Sequence, residues 1–337
     1  MIKKALIIDK SPITRRLLSN ILKKLNLEVD TAKTEEEIKK LTGYELVILG
    51  KDFYDLVEKI LNKYPTRILI IQDNGEITEA IEKGALDFIP KPGKPGVSPT
   101  QIEKKIKDTL KIPKFKVLLN KKGKKITINK TDFKPNKDTR FVLIGASTGG
   151  PRLIETIVST LPENYPYPIC IVQHMPVNFT KKFAERLNSI SKLHVLEAKN
   201  NEEVIPGKII IGKGGSHLHL SRRILDKSVV CKLVPNTSGR FFVPSVDELF
   251  FSALKAVNPK KIMAVLLTGI GDDGAEGMVA LKKAGAYTIA ESQETAVVYG
   301  MPKEAYERGG ATKVLPFPDI VKEIIKYGSE ENKLDFA

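Results

Sequence analysis

Tryptophan is absent from this chain, and cysteine and histidine are scarce, with two and four residues among 337. The cysteines, Cys170 and Cys231, lie in apolar, strand-like segments with no metal-ligand spacing. Buried reduced thiols are therefore expected rather than a disulfide or a zinc site. No apolar run approaches the ~20 residues that span a bilayer. The opening MIKKALIIDK places charge within its apolar stretch, unlike a signal peptide. These absences exclude disulfide scaffolds, zinc modules and membrane-embedded proteins, and a cytoplasmic chain is expected. Acidic residues are also in deficit, 40 against 55 basic ones, for a net charge of +15. Residues 114–138 alone hold nine lysines against Asp132 and Asp138, a net +7. Without aromatic interleaving or a recognition module, this run reads as a solvated linker, and no nucleic-acid partner is expected.

With 42% hydrophobic residues, the chain can bury full cores, and its length suggests about two domains. Strand and helix patterns alternate from the start. ALIID is followed by Ser11, Pro12 and then Leu17, Leu18, Ile21, Leu22 and Leu25 at helical spacing. Four more such pairs follow: EVDTA with EEEIKKL, YELVILG with YDLVEKILNKY, RILIIQD with EITEAIEKG, and ALDFIPKP with TQIEKKIKDTLK. Repeated β-α units imply a doubly wound parallel sheet with helices on both faces. This first domain is expected over 1–112, followed by a basic linker over 113–139 and a second α/β domain over 140–337.

The order of elements, Asp9 after the first strand, and GALDFIPKP with Lys91 resemble a response-regulator receiver domain, which is flavodoxin-like. In that family two acids after the first strand and an aspartate at the end of the third bind magnesium, and the last accepts a phosphoryl group. Here Lys10 stands in place of the second acid, Gly50 holds the acceptor position and Gln72 replaces the usual hydroxyl residue. One ammonium and one missing carboxylate leave Asp9 nearly alone as an oxygen ligand. The resemblance therefore implies a degenerate receiver, with Asp52 and Asp55 beyond the strand end as poor substitutes.

In the second domain, RFVLIG reads as a strand and PRLIETIVSTLP as a helix, so Ser147 occupies the turn between them. Gly145-Ala146-Ser147-Thr148-Gly149 fits G-x-S-x-G, the spacing of a nucleophile elbow. The same glycine-rich pattern also suits a phosphate cradle or a plain tight turn. YPICIVQHMP is another strand, with His174 at its carboxyl end. KIMAVLLTGIGDDGAEGMVALKKAGA is a third, followed by a loop with Asp272 and Asp273. In a doubly wound sheet the carboxyl ends share one edge, so a serine, a histidine and an aspartate can meet there. The other histidines have weaker claims: His194 lies in a strand pattern, and His217 and His219 alternate on a hairpin pattern, with Gly214-Gly215 able to aim His217 at the cleft. A serine hydroxyl becomes nucleophilic when an imidazole takes its proton and a carboxylate orients that imidazole. The chain order Ser, His, Asp differs from that of α/β-hydrolases. Backbone N–H groups after Ser147, at Thr148 and onward, open a helix and are suited to an oxyanion.

IGASTGG, QHMP, GSHLHL, PSVDELFFSA, LLTGIGDDGAEGM and VYGMPKEA, in this order behind a receiver-like domain, resemble the chemotaxis protein-glutamate methylesterase family. The resemblance implies a Rossmann-like esterase domain. It also implies a cofactor- and metal-free serine hydrolase acting on glutamyl methyl esters, and on glutamines, of methyl-accepting chemotaxis receptors. Carried over, Ser147 is the nucleophile, His174 the base and Asp273 the orienting acid, with Asp272 second. Ile270 and Gly271 supply backbone donors near the oxyanion, and Met301 lines the cleft. The family's receiver covers the cleft until a chemotaxis histidine kinase phosphorylates it, a switch that Gly50 and Lys10 are expected to abolish. The competing classes are a phosphate- or nucleotide-binding regulator, which lacks a Walker lysine, and a catalytically silent docking scaffold.

Overall fold

Runs such as KALII and LVIL are hydrophobic on both faces, which suits strands in a parallel sheet covered by helices. A computed structural model of the chain describes residues 3–38, 42–72, 80, 81, 83–94, 97–114, 117, 139–175, 177, 179–237 and 239–329. The chain divides into two units, Met1–Gly123 and Lys124–Ala337. In the first unit, strands β1 (Lys4–Ile8), β2 (Glu28–Ala32), β3 (Leu46–Leu49), β4 (Arg67–Gln72) and β5 (Asp87–Pro90) form an all-parallel sheet in the order β2-β1-β3-β4-β5. This is the flavodoxin-like order. Helix α1 (Pro12–Lys24) starts where Ser11 accepts from Thr14 N at 3.2 Å, with proline in its first turn. Its Leu18 and Leu22 pack with Ile7, Ile48 and Ile106 in one core; each such aliphatic contributes roughly 1.5–3 kcal/mol on burial. Helices α2 (Leu56–Lys63) and α3 (Pro99–Lys111) complete the described elements of this unit, with a short 3-10 turn at Lys51–Phe53.

Two expectations need qualification. The helix expected over 35–41 is not formed in its described part, where residues 35–37 form a bend and a turn; residues 39–41 lie outside the described residues. Most of the helix expected over Glu76–Gly84 and nearly all of the basic linker lie outside them as well.

The second unit has a seven-stranded parallel sheet in the order β14-β13-β12-β6-β7-β9-β8. Its strands are β6 (Phe141–Ala146), β7 (Ile169–Gln173), β8 (His194–Glu197), β9 (Lys208–Ile211), β12 (Ile262–Leu266), β13 (Tyr287–Glu291) and β14 (Lys313–Leu315). The expected hairpin is present: β10 (His217–Arg222) and β11 (Val229–Val234) pair antiparallel, His217 opposite Val234. Helices α4 (Gly150–Thr160), α5 (Phe179–Ile190), α6 (Val246–Ala256), α7 (Ala275–Lys283), α8 (Met301–Glu307) and α9 (Phe317–Tyr327) flank the sheet. Phe250 of α6 and Met278 of α7 pack with Leu143, Val172 and Leu266 in one buried core. From β6 the chain builds β7, β8 and β9 on one side and then crosses to β12, β13 and β14 on the other, which makes the β6/β12 boundary the topological switch point. Ligands bind at the carboxyl ends of strands at such a point. Both cysteines are buried in this unit; burial pushes the Cys170 thiol well above its ordinary value and that of Cys231 up to about 12, so both are unreactive. Among the described residues, no helix is long and apolar enough to cross a membrane.

Candidate active site

Ser147 follows β6 and His174 follows β7, on adjacent strands whose ladder pairs Ala146 with Gln173. The ladder continues as His174 N donates to Ala146 O at 3.0 Å, while Ser147 N donates to Thr268 O at 3.0 Å just past β12. The three segments thus lie side by side, about 5 Å apart as neighbouring strands are. Gln173 ties two of them together, its Nε2 donating to Ser147 O at 2.9 Å and to His174 O at 3.3 Å.

The turn itself differs from a sharp elbow at the serine. Ser147 O accepts from Gly150 N at 2.8 Å, and Gly149 adopts φ 83°, ψ −10°. This is a type II turn, whose third residue requires a positive φ. The left-handed residue is therefore Gly149, and a Cβ there would come within 2.8 Å of Val297 Cβ. The Thr268 hydroxyl braces the turn from below, donating to Thr148 O at 2.9 Å and accepting from Val298 N at 2.8 Å.

His174 Nε2 lies 2.7 Å from Asp273 Oδ2, with both side chains buried. Asp273 also accepts from Ser245 Oγ (2.7 Å), Val246 N (2.7 Å) and Asp247 N (3.1 Å). The carboxylate is therefore seated on the amino terminus of α6, where helix N–H groups and the helix dipole favour negative charge. Burial pushes its pKa up, but hydrogen bonding and charge attraction from His174, with the Ser245 and Val246 donors, outweigh burial and hold it below the ordinary value. A carboxylate accepting at Nε2 leaves the imidazole lone pair on Nδ1, the reverse of the chymotrypsin-type arrangement. Nδ1 is buried and unbonded among the described residues. It has no hydrogen bond from Ser147 here; such contacts are often long without substrate and tighten on binding. Asp272, by contrast, is exposed and ion-paired to Arg308 at 2.7 Å.

The remaining sequence candidates also find places. A Cβ on Gly269 would sit 2.8 Å from Ser147 Cβ and 2.1 Å from the sulfur of buried Met301, so Met301 and Ser147 flank the same glycine. Met301 N donates to Gly269 O at 2.9 Å. Ile270 and Gly271 continue this loop toward Asp273, with Gly271 at φ 86°. His194 is exposed at the start of β8, and His219 pairs with Glu248 at 2.8 Å. His217 is buried and does not meet His174. Its Nδ1 accepts from Ser245 N at 3.1 Å and its Nε2 faces Asn236 Oδ1 at 3.1 Å, so it supports the residue that in turn holds Asp273.

Sequence reasoning passed over three residues here. Ser245 opens a capping-box pattern with Glu248, which marks a helix start but not its carboxylate partner. Phe242 stacks on His174, ring centroids 3.9 Å apart and planes at 6°; nothing in the spacing of its loop signals this. Asp247 is buried, accepting from Gly277 N at 2.8 Å and pairing with Arg240 at 3.2 Å. Burial, followed by the nearby Asp273 charge, pushes its carboxyl up to about 7 against the opposing Gly277 and Arg240 contacts.

In the first unit, a Cβ on Gly50 would lie 2.2 Å from Asp9 Oδ2, so the Asp9 carboxylate fills the space of a side chain at 50. Asp9 accepts from Ser11 N at 2.8 Å, and Arg15 donates to its backbone carbonyl. Burial raises its pKa, against Ser11, Lys91 and Arg15, with Asp52 adding to the rise. Lys10 pairs with Asp52 at 3.4 Å. Two carboxylates hemmed by Lys10, Lys91 and Arg15 do not fit the oxygen-rich set a magnesium ion needs. Gln72 ends β4 opposite Pro90.

The family model described as CheB methylesterase matches residues 142–324. A protein-glutamate methylesterase/protein-glutamine glutaminase from Carboxydothermus hydrogenoformans is 36% identical, over 96% of this chain and 98% of its own. One from Thermotoga maritima is 37% identical over 92% and 88%. The crystal structure of the Thermotoga maritima CheB methylesterase catalytic domain aligns with a TM-score of 0.53 and 42% identity, covering 56% of this chain and 98% of that one. With the family model matching residues 142–324 and relatives more than 30% identical along nearly the whole chain, this chain belongs to the CheB methylesterase family.

Proposed function

We propose that this chain is a serine hydrolase that removes methyl groups from glutamyl methyl esters, and ammonia from glutamines, on the helices of methyl-accepting chemotaxis receptors. The relatives named for both activities support the substrate class. The observation that carries the mechanism is the His174–Asp273 pair with a buried, unbonded Nδ1 one strand away from Ser147.

Ser147 Oγ attacks the side-chain carbonyl carbon and its proton passes to His174 Nδ1, while the carbonyl π pair moves onto oxygen. Asp273 stabilises the imidazolium through Nε2. The backbone N–H groups of Thr148, Ile270 and Gly271 are suited to receive the oxyanion, and Met301 bounds the cleft. The tetrahedral species collapses with cleavage of the carbon–oxygen bond, and Nδ1 returns the proton to departing methanol. For glutamine the leaving group is ammonia. Water then attacks the acyl-serine carbonyl and gives a proton to Nδ1; the second tetrahedral species collapses with cleavage of the carbon–Oγ bond, Nδ1 returns the proton to Ser147 Oγ, and the glutamate side chain leaves as the acid, which ionises in water. No cofactor or metal enters these steps.

The site is read as working in the cytoplasm. Control by a chemotaxis histidine kinase is read as lost, because position 50 has no carboxylate and Asp9 fills its space. The phosphate-cradle and silent-scaffold readings leave the His174–Asp273 pair without a purpose. A serine-directed fluorophosphonate separates the three: labelling of the whole chain at Ser147, located by peptide mass, is expected. No label, or label elsewhere, refutes the serine mechanism.

A further inference from the structure

Residues 239–245, which lead into α6, bend back over the histidine and are held there from several sides. Asn236 Nδ2 donates to Arg240 O at 2.9 Å and Arg240 N donates to Asn236 Oδ1 at 3.0 Å, a reciprocal pair that closes the bend. His217 on β10 meets the same Asn236 oxygen at 3.1 Å. The Arg240 guanidinium spreads across three acids, Asp247 at 3.2 Å, Glu248 at 3.6 Å and Glu276 at 3.7 Å, which tethers the bend to α6 and to α7. The next two residues are the aromatics. Phe241 packs edge-on against Phe242, centroids 4.9 Å apart at 85°, while Phe241 itself is half exposed. Phe242 in turn lies flat on the His174 ring, 3.9 Å away at 6°. A Cβ on Gly271 would meet the far edge of the Phe242 ring at 3.9 Å, so this ring bridges the histidine and the loop that carries Asp273.

Flat stacking has two physical consequences. It fixes rotation of the imidazole about its last torsion, a soft one in histidine, so that the Nε2–Asp273 bond and the direction of Nδ1 are set together. It also presents a π face to a ring that becomes cationic during the reaction, and a cation over an aromatic face is stabilised most when desolvated, as here. The charged groups around the pair are Asp273 on the loop before α7, Asp247 and Glu248 on α6, Glu276 on α7 and Arg240 on the bend itself.

We infer that Phe242 is a positioning residue of the reaction, a π platform that locks His174 against Asp273 and favours its imidazolium, kept in place by the Asn236–Arg240 clasp. This rests on the esterase reading above, so the test has one arm that needs turnover and one that does not. In the first arm, Phe242→Leu keeps apolar bulk and loses the π face. Its kcat on a methyl-esterified receptor helix should fall about thirtyfold, the size of a desolvated cation–π contact, with KM little changed; Phe242→Tyr, which keeps the face, should restore kcat. A raised KM with unchanged kcat would instead make Phe242 a substrate contact and overturn the inference, as would equal kcat in the Leu and Tyr variants. In the second arm, NMR of the histidine side chains in the full chain, assigned by His174→Gln, reads the stack directly. The His174 ring protons should be shifted upfield by the Phe242 ring current in the wild type and in Phe242→Tyr. Ordinary positions in those two proteins overturn the inference even if Phe242→Leu fails to fold. An upfield shift in a protein without esterase activity would leave the stack standing and remove the esterase reading instead.

Discussion

Asp273→Asn separates the two jobs the structure gives that carboxylate. The anion accepts four hydrogen bonds, from His174 Nε2 and Val246 N on one oxygen and from Ser245 Oγ and Asp247 N on the other. Asparagine has the same shape but one acceptor oxygen, so whichever way the amide turns, its NH2 confronts a backbone N–H of α6. Losing one hydrogen bond to a charged acceptor costs about 1.5–3 kcal/mol, and removing an anion from a partly buried helix amino terminus costs about 0.5–2 more. Together these lower the melting temperature by roughly 5–15 °C for a unit of this size. The kinetic loss should be far larger. An imidazole without its carboxylate partner is neither held in the right tautomer nor stabilised when charged, a defect worth about 10⁴ in kcat for the same change in a Ser-His-Asp triad. Calorimetry and methanol release, both below the variant's melting temperature, measure the two effects separately. Asp272→Asn is the control, since that exposed carboxylate pairs only at the surface and its loss should shift stability by about 0.5 kcal/mol or less with kcat unchanged. The assignment is refuted if Asp273→Asn turns over at the wild-type rate while Asp272→Asn does not.

Other consequences are equally concrete. The Asp247 carboxyl, raised from 3.8 to about 7 chiefly by burial, holds its proton in the folded state over a window where the unfolded chain has lost it. Stability should therefore fall as pH rises between about 4 and 7; Asp247→Asn should flatten that slope in urea melts, and identical slopes would mean the group is not neutral in the fold. Gly269→Ala would place a methyl 2.1 Å from Met301 sulfur and 2.8 Å from Ser147 Cβ, so a cost of about 1–3 kcal/mol and a loss of kcat are expected. Full activity with an unchanged melting temperature would show that the loop has more room than its geometry implies. Incubation with a small phosphodonor and magnesium should leave the intact mass unchanged, and a stoichiometric adduct at Asp52 or Asp9 would contradict the degenerate-receiver reading.

Local pattern made much of this legible in the sequence. Ser147, His174 and the Asp272-Asp273 pair each follow a buried apolar run, and parallel strands bring such positions to one edge whatever their order in the chain. Choosing between the two aspartates needed more than pattern, since adjacent residues at a loop end point in different directions. Asp273 turns inward to the α6 amino terminus, Asp272 outward to Arg308. The supports of the site were not legible because they are long-range. Ser245 meets His217 and Asp273 across 28 residues in each direction, and Phe242 reaches His174 from a bend whose composition suggests only a loop. The G-x-S-x-G match put the serine at the strand-to-helix turn, and the left-handed residue of that turn is Gly149, where a glycine is needed. The EEEIKKL segment is apolar only at Ile38 and Leu41, too narrow an apolar stripe in the sequence to specify a helix, and its described part is not helical.

The central claim is that Ser147 forms the acyl-enzyme with a proton accepted by His174. Methanol release from a methyl-esterified receptor, measured for the wild type, Ser147→Ala, His174→Ala and the double variant, tests it most directly. Each single alanine should abolish nearly all turnover, and the double variant should lose scarcely more, because residues acting as one unit are not additive. Appreciable methanol release by a folded Ser147→Ala chain, or losses that simply multiply, would contradict it.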